Sequence, residues 1–107
     1  MKSSQILRHA RELLIADRVK YVCSAISHVR DALVAQITSP VKCSIIRLKA
    51  MDLILEVRRR IHPYRYVHTW VQHNVKPPIE ELTDERLKQY RIDWVTSMIE
   101  EYESIGD

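Results

Sequence analysis

Arginine, tyrosine and histidine gather in one stretch of the sequence, Arg58-Arg59-Arg60-Ile61-His62-Pro63-Tyr64-Arg65-Tyr66-Val67-His68. Between Val57 and Ile79 there are four arginines and Lys76, and no acid. Guanidinium groups hold phosphates and tyrosine rings stack on bases, so this composition suits nucleic acid. It suits a protein partner equally, because Arg and Tyr are enriched as interface anchors. A third reading needs no partner: three arginines ending a helix complement its dipole and pair with an acidic helix elsewhere in the chain. The candidate binding residues are Arg58, Arg59, Arg60, Tyr64, Arg65, His68, Gln72, His73 and Lys76.

Catalytic and metal chemistry find less support. His68 and His73 are five apart, as are Cys23 and His28, whereas ligands on one helix face need a spacing of four. The arginine-then-histidine spacing of some helical ribonucleases is missing at all five histidines. The only glycine is Gly106, so there is no glycine-rich phosphate loop. Cys23 sits on an apolar stripe, where a thiol is inert. Cys43 falls in the first turn of a helix, where the dipole favours thiolate, but no base is assigned to it. No acidic pair stands out from the scattered carboxylates. The expectation is a protein that is not an enzyme and holds no metal or cofactor.

The segments that position these residues read as helices. With one Gly and four Pro in 107 residues, tight turns are few. Hydrophobic residues make up 46% and charged residues 29%, an ordinary balance for a globular domain that buries one core. The first helix is predicted over 4–16, with Ser3 or Ser4 as its cap and Ile6, Leu7, Ala10, Leu13 and Leu14 on one face. Asp17 and Arg18 mark a break. The second is predicted over 19–37, on the stripe Val19, Val22, Cys23, Ile26, Val29, Leu33 and Ile37, with a bend where Asp31 caps a second segment.

Ser39 and Pro40 suit the cap and first position of a third helix over 41–61. It carries two apolar rows: Ile46, Ala50, Leu53, Ile54, Val57 and Ile61, and Val41, Ile45, Leu48 and Leu55. A helix apolar on two sides is expected to be the central post, covered on both. His62-Pro63 ends it, and a short helix over 64–73 presents Arg65, His68, Thr69, Gln72 and His73 in the manner of a DNA-reading helix. That helix is short, and the turn before it lacks the usual glycine. A last helix over 84–103 follows Thr83 as cap, with Leu87, Tyr90, Trp94, Val95, Met98 and Tyr102 on its inner side. The expected fold is therefore all-α, a single domain over 1–107 built as a compact bundle of four to five helices.

Charge is unevenly spread. Residues 1–79 carry fourteen Lys/Arg against five Asp/Glu, and residues 80–107 carry three against nine. An acidic last helix can neutralise basic neighbours, and the surplus is open to an acidic partner. No apolar run reaches the roughly 20 residues of a membrane span. Charges within the apolar pattern of the first residues argue against a signal peptide. Two cysteines make no disulfide framework, which fits a cytoplasmic setting.

Three further patterns occur in order: Tyr21-Val22-Cys23-Ser24-Ala25-Ile26; Trp70-Val71; and Tyr90-Arg91-Ile92-Asp93-Trp94-Val95 with Met98-Ile99-Glu100-Glu101-Tyr102. In this order and spacing the chain resembles small all-helical bacteriophage and prophage accessory proteins of unassigned activity. The likeness implies a protein acting in a bacterial host cytoplasm by binding and redirecting a host protein, such as a defence or transcription component. Nucleic-acid binding through residues 58–76 and homo-oligomeric assembly stand as the alternatives.

Overall fold

A computed structural model describes residues 1–61 and 83–107, with Ile61 by its backbone alone. Four helices make up the described chain: α1 (Ser3–Ile15), α2 (Val22–Ala35), α3 (Pro40–Ile61) and α4 (Asp84–Ser104). Among the described residues there is no strand, and the protein is an all-α bundle. The short helix expected over 64–73, and with it Trp70, lies outside the described residues.

The hub is α1. It packs along both α2 and α4 and touches α3, while α3 packs chiefly on α2. Ile6, Leu7, Ala10 and Leu14 are buried at the centre of the shared core, where they meet side chains such as Ile26, Leu53, Val95 and Met98. Full burial of each large aliphatic group contributes about 1.5–3 kcal/mol, so this short helix concentrates much of the stabilisation. The central post expected at α3 is thus corrected. Its row Ile46, Ala50, Leu53 and Val57 is buried, but its second row is not. The rule that apolar residues go inside runs one way, because much of any folded surface is still apolar. Ala10, Ala25 and Ala50, one on each of three helices, are fully buried, and their short side chains let neighbouring helices approach closely.

Helix ends are built from particular residues. Asp17 adopts φ 56, a left-handed conformation that Asp tolerates better than most residues. Around it the Arg18 N–H donates to Leu13 O at 3.0 Å and the Asp17 N–H to Leu14 O at 3.2 Å, the paired bonds of a Schellman motif. This is the break expected at Asp17–Arg18. The same motif closes α4: Gly106, at φ 84, donates to Glu103 O at 3.2 Å, and the Asp107 N–H donates to Tyr102 O at 3.0 Å. The one glycine in the chain is spent on this turn.

Neither Ser3 nor Ser4 caps α1. Both lie inside the helix, Lys2 is the capping residue, and the Lys2 N–H donates to Gln5 Oε1 at 2.8 Å. The free first-turn donors are taken by Asp107, whose Oδ1 accepts the Ser3 N–H at 3.0 Å and whose Oδ2 accepts the Ser4 N–H at 2.7 Å. A carboxylate at a helix N-terminus satisfies orphan N–H groups and the dipole together. On α2, Asp31 caps no second segment; it pairs with Arg30 at 2.9 Å within one continuous helix. Ser39 caps α3, its Oγ accepting the Lys42 N–H at 3.4 Å, with Pro40 in the first position. Thr83 caps α4, its Oγ1 accepting the Arg86 N–H at 3.2 Å, and Asp84 and Glu85 fill the first turn. Trp94 is buried in the core as its place on the stripe predicts.

Candidate functional site

The basic turn that ends α3 is partly consumed inside the fold. Arg59 donates to Glu56 Oε1 at 2.7 Å, and Arg60 Nε donates to the same oxygen at 2.8 Å. A second Arg60 nitrogen donates to Glu101 on α4. The Glu56–Arg60 spacing of four is the helix pair that the sequence contains. The hydrogen bonds from Arg59 and Arg60 hold the Glu56 carboxyl below its ordinary range. Burial pushes the Arg60 guanidinium down, but Glu56 and Glu101 outweigh it and raise its proton affinity. Arg8 on α1 pairs likewise with Glu103 on α4, and Lys88 on α4 pairs with Asp17 at 2.9 Å. Through Glu101 and Glu103 the acidic last helix neutralises part of the basic chain, while the Lys88–Asp17 pair runs the other way.

Arg58 is placed differently from its neighbours. It is exposed, adjoins Cys23 and lines a groove between α2 and α3. Tyr64, Arg65, His68, Gln72, His73 and Lys76 lie outside the described residues. Of the candidate binding residues, the structure therefore describes Arg58, Arg59 and Arg60.

The groove measures about 540 Å³. Leu48, Met51, Ile54 and Leu55 form its floor, and Arg30, Arg47 and Arg58 stand along its rim with Asp31. Leu48, Met51 and Leu55 of this floor belong to a longer apolar stripe on α3. Val41, Ile45, Leu48, Met51 and Leu55 are each between 45% and 68% exposed. Their spacings of four and three residues place them along one side of the helix, opposite the buried row. Sequence periodicity identified Val41, Ile45, Leu48 and Leu55 as a row and expected it to be covered. Helical spacing says which side chains share a face; it does not say whether another element lies on that face.

The two thiols are both held in packed surroundings. Burial pushes the Cys23 thiol up, and Arg58 beside it pulls the other way without cancelling the effect. Cys43 is buried and its Sγ lies 3.5 Å from Ile37 O and 3.9 Å from Val34 O, donating toward the end of α2. Cys43 stands in the first turn of α3, as the sequence places it, with its thiol engaged with carbonyl oxygens. Among the described residues, no group of three or more His, Cys, Asp or Glu side chains gathers to hold a metal ion. No described helix is long and apolar enough to cross a membrane.

One buried charge has no counterpart among the candidate residues. Arg91 on α4 is only 6% exposed, and its guanidinium carbon lies 5.1 Å from the centre of the Tyr21 ring. Desolvation lowers its proton affinity, against opposing contributions from Tyr21 and Asp84. Arginine is almost never fully buried without a partner, so its sequence position beside an apolar stripe gave no signal.

The fold and the surface define an all-α bundle with an exposed apolar–basic helix face. Compared with known proteins, the chain matches no family model, no curated protein and no solved structure.

Proposed function

We propose that this chain is a non-enzymatic binding protein, an accessory protein of bacteriophage type that captures a bacterial host protein and blocks or redirects it by covering one of its surfaces. The observation that carries the reading is the outer face of α3. Five large apolar side chains stand exposed in one line, and Arg30, Arg47 and Arg58 border the groove beside them. Contiguous exposed apolar surface with a polar rim marks interaction sites. The occupant it fits is an amphipathic helix from the partner, with apolar anchors at matching spacing and acidic residues flanking them. The apolar row supplies burial, and the arginines select the acidic flanks. A defence or transcription component of the host is the kind of protein that would carry such a helix.

The test separates the groove from the basic turn. The wild-type chain and the variants L48D/L55D and R59E would be used to recover partners from bacterial lysate, followed by mass spectrometry. A partner lost with L48D/L55D and retained with R59E supports α3's stripe as the surface. Equal recovery by wild type and L48D/L55D overturns it.

Homo-oligomeric assembly is a second reading, and the heptad spacing of Val41, Leu48 and Leu55 favours it. In a parallel pair of α3 helices, Arg47 of one copy would stand five residues before Asp52 of the other, the spacing at which coiled coils place their interhelical ion pairs. A light-scattering mass of one chain at high concentration removes this reading. Nucleic-acid binding through 58–76 predicts a gel shift at low salt that weakens by orders of magnitude as salt rises. Because Arg59 and Arg60 already pair with Glu56 and Glu101, fewer of its cations are open to phosphates.

A further inference from the structure

The turn between α1 and α2 meets the first two turns of α4. A cleft of about 570 Å³ lies there, with Leu14 and Val19 as its apolar wall and Arg18, Lys20 and Arg91 as its cations. Asp17, Asp84, Glu85 and Lys88 complete the lining. The volume is that of a small-molecule site, for which roughly 300–1,000 Å³ is usual.

Arg91 gives this cleft its chemistry. The side chain is 6% exposed, and its Nε–H has no hydrogen-bond partner. The Tyr21 ring lies against the guanidinium carbon at 5.1 Å and partly balances the charge, but a ring face leaves the in-plane N–H groups unmet. Leaving a buried donor unmet costs about 1–3 kcal/mol, and native proteins keep few such groups. Arg91 lines the cleft while its Nε is enclosed, and a guanidinium receives the two oxygens of a carboxylate on an edge made of two N–H groups.

The charges around it favour a single negative charge. Lys88 is committed to Asp17 at 2.9 Å and to Ile15 O at 3.0 Å. Arg18, Lys20 and Arg91 then face Asp84 and Glu85, which leaves one positive charge in excess. The start of α4 adds its dipole. Its Arg86 and Leu87 N–H groups are taken by Thr83. A phosphate dianion would meet Asp84 and Glu85 with charge to spare. We infer that this cleft binds a small monocarboxylic acid, its carboxylate held by Arg91 with Arg18 and Lys20 at the mouth and its short apolar portion against Leu14 and Val19.

The experiment is a heteronuclear NMR titration of the whole chain with sodium butyrate, with sodium phosphate and sodium chloride at matched ionic strength as comparisons. Butyrate is expected to shift the Arg91 Nε–H resonance and the Asp84 and Glu85 amides along one saturating curve. R91K keeps the charge but loses the fork, and is expected to weaken butyrate at least tenfold. R18Q/K20Q alters two exposed residues, and is expected to weaken binding several-fold with an unchanged circular dichroism spectrum, so the proposal stays testable if R91K does not fold. A non-saturating response overturns it. So do equal shifts with chloride, tighter binding of phosphate than of butyrate, and unchanged affinity in folded R91K or in R18Q/K20Q.

Discussion

Asp107 caps a helix that begins more than a hundred residues earlier in the chain: its Oδ2 accepts the Ser4 N–H at 2.7 Å, and its Oδ1 accepts the Ser3 N–H at 3.0 Å. Burial works against the charged carboxyl, but these bonds and the Ser4 hydroxyl outweigh it and hold the group below its ordinary value of 3.8. A carboxyl lowered by folding stabilises the folded state once the unfolded chain would also be ionised. Its contribution is complete above 3.8 and disappears as pH falls through the lower folded value. D107N is therefore expected to lower stability by about 1 kcal/mol at neutral pH, the usual worth of a helix cap. Urea denaturation of both proteins at pH 7, and again in acid below the folded value, checks the sign. The difference must shrink in acid, and an unchanged gap at both pH values refutes the capping role.

The turn that delivers Asp107 to α1 depends on Gly106 at φ 84. A Cβ added there meets nothing within 4 Å, so the cost of G106A is conformational alone. Left-handed backbone costs a non-glycine residue about 1–2 kcal/mol. G106A is expected to lower stability by about that amount, and combining it with D107N should give less than the sum, because both act on one capping arrangement. Strict additivity in chemical denaturation would separate the turn from the cap.

The two sides of α3 should respond in opposite ways. Leu53 is 1% exposed, and L53A is expected to cost about 2–5 kcal/mol through lost burial and the cavity left behind. Leu48 is 55% exposed, and L48A should stay within about 0.5 kcal/mol. Thermal melts of the two variants decide this. A large loss from L48A would mean that the stripe is covered within the folded monomer.

The ion pair from Arg60 to Glu101 ties α3 to α4, yet both side chains retain solvent contact, 33% and 58% exposed. Such a pair is worth less than about 1 kcal/mol and is weakened by salt. A double-mutant cycle with R60M and E101Q is expected to give a coupling in that range that falls from low to high ionic strength. A coupling that salt leaves unchanged would show a pair far more enclosed than its exposure indicates.

Read as a sequence, the chain already declared the four helices of the described residues. The breaks at Asp17–Arg18, Ser39–Pro40 and Thr83 are local chemistry, set by backbone preference and by side chains reaching their own helix ends. The buried rows, such as Ile6, Leu7, Ala10 and Leu14, follow from helical spacing alone. Three features needed the tertiary structure. Which helix is the hub depends on how many neighbours each apolar row meets, and α1 meets more than α3 although α3 is longer and has two rows. Whether Val41, Ile45, Leu48 and Leu55 are core or surface depends on an element lying across them, and periodicity carries no information about that element. The partners of Ser3 and Ser4 with Asp107, of Arg60 with Glu101 and of Arg91 with Tyr21 join residues distant in sequence, and only the folded chain sets their distances.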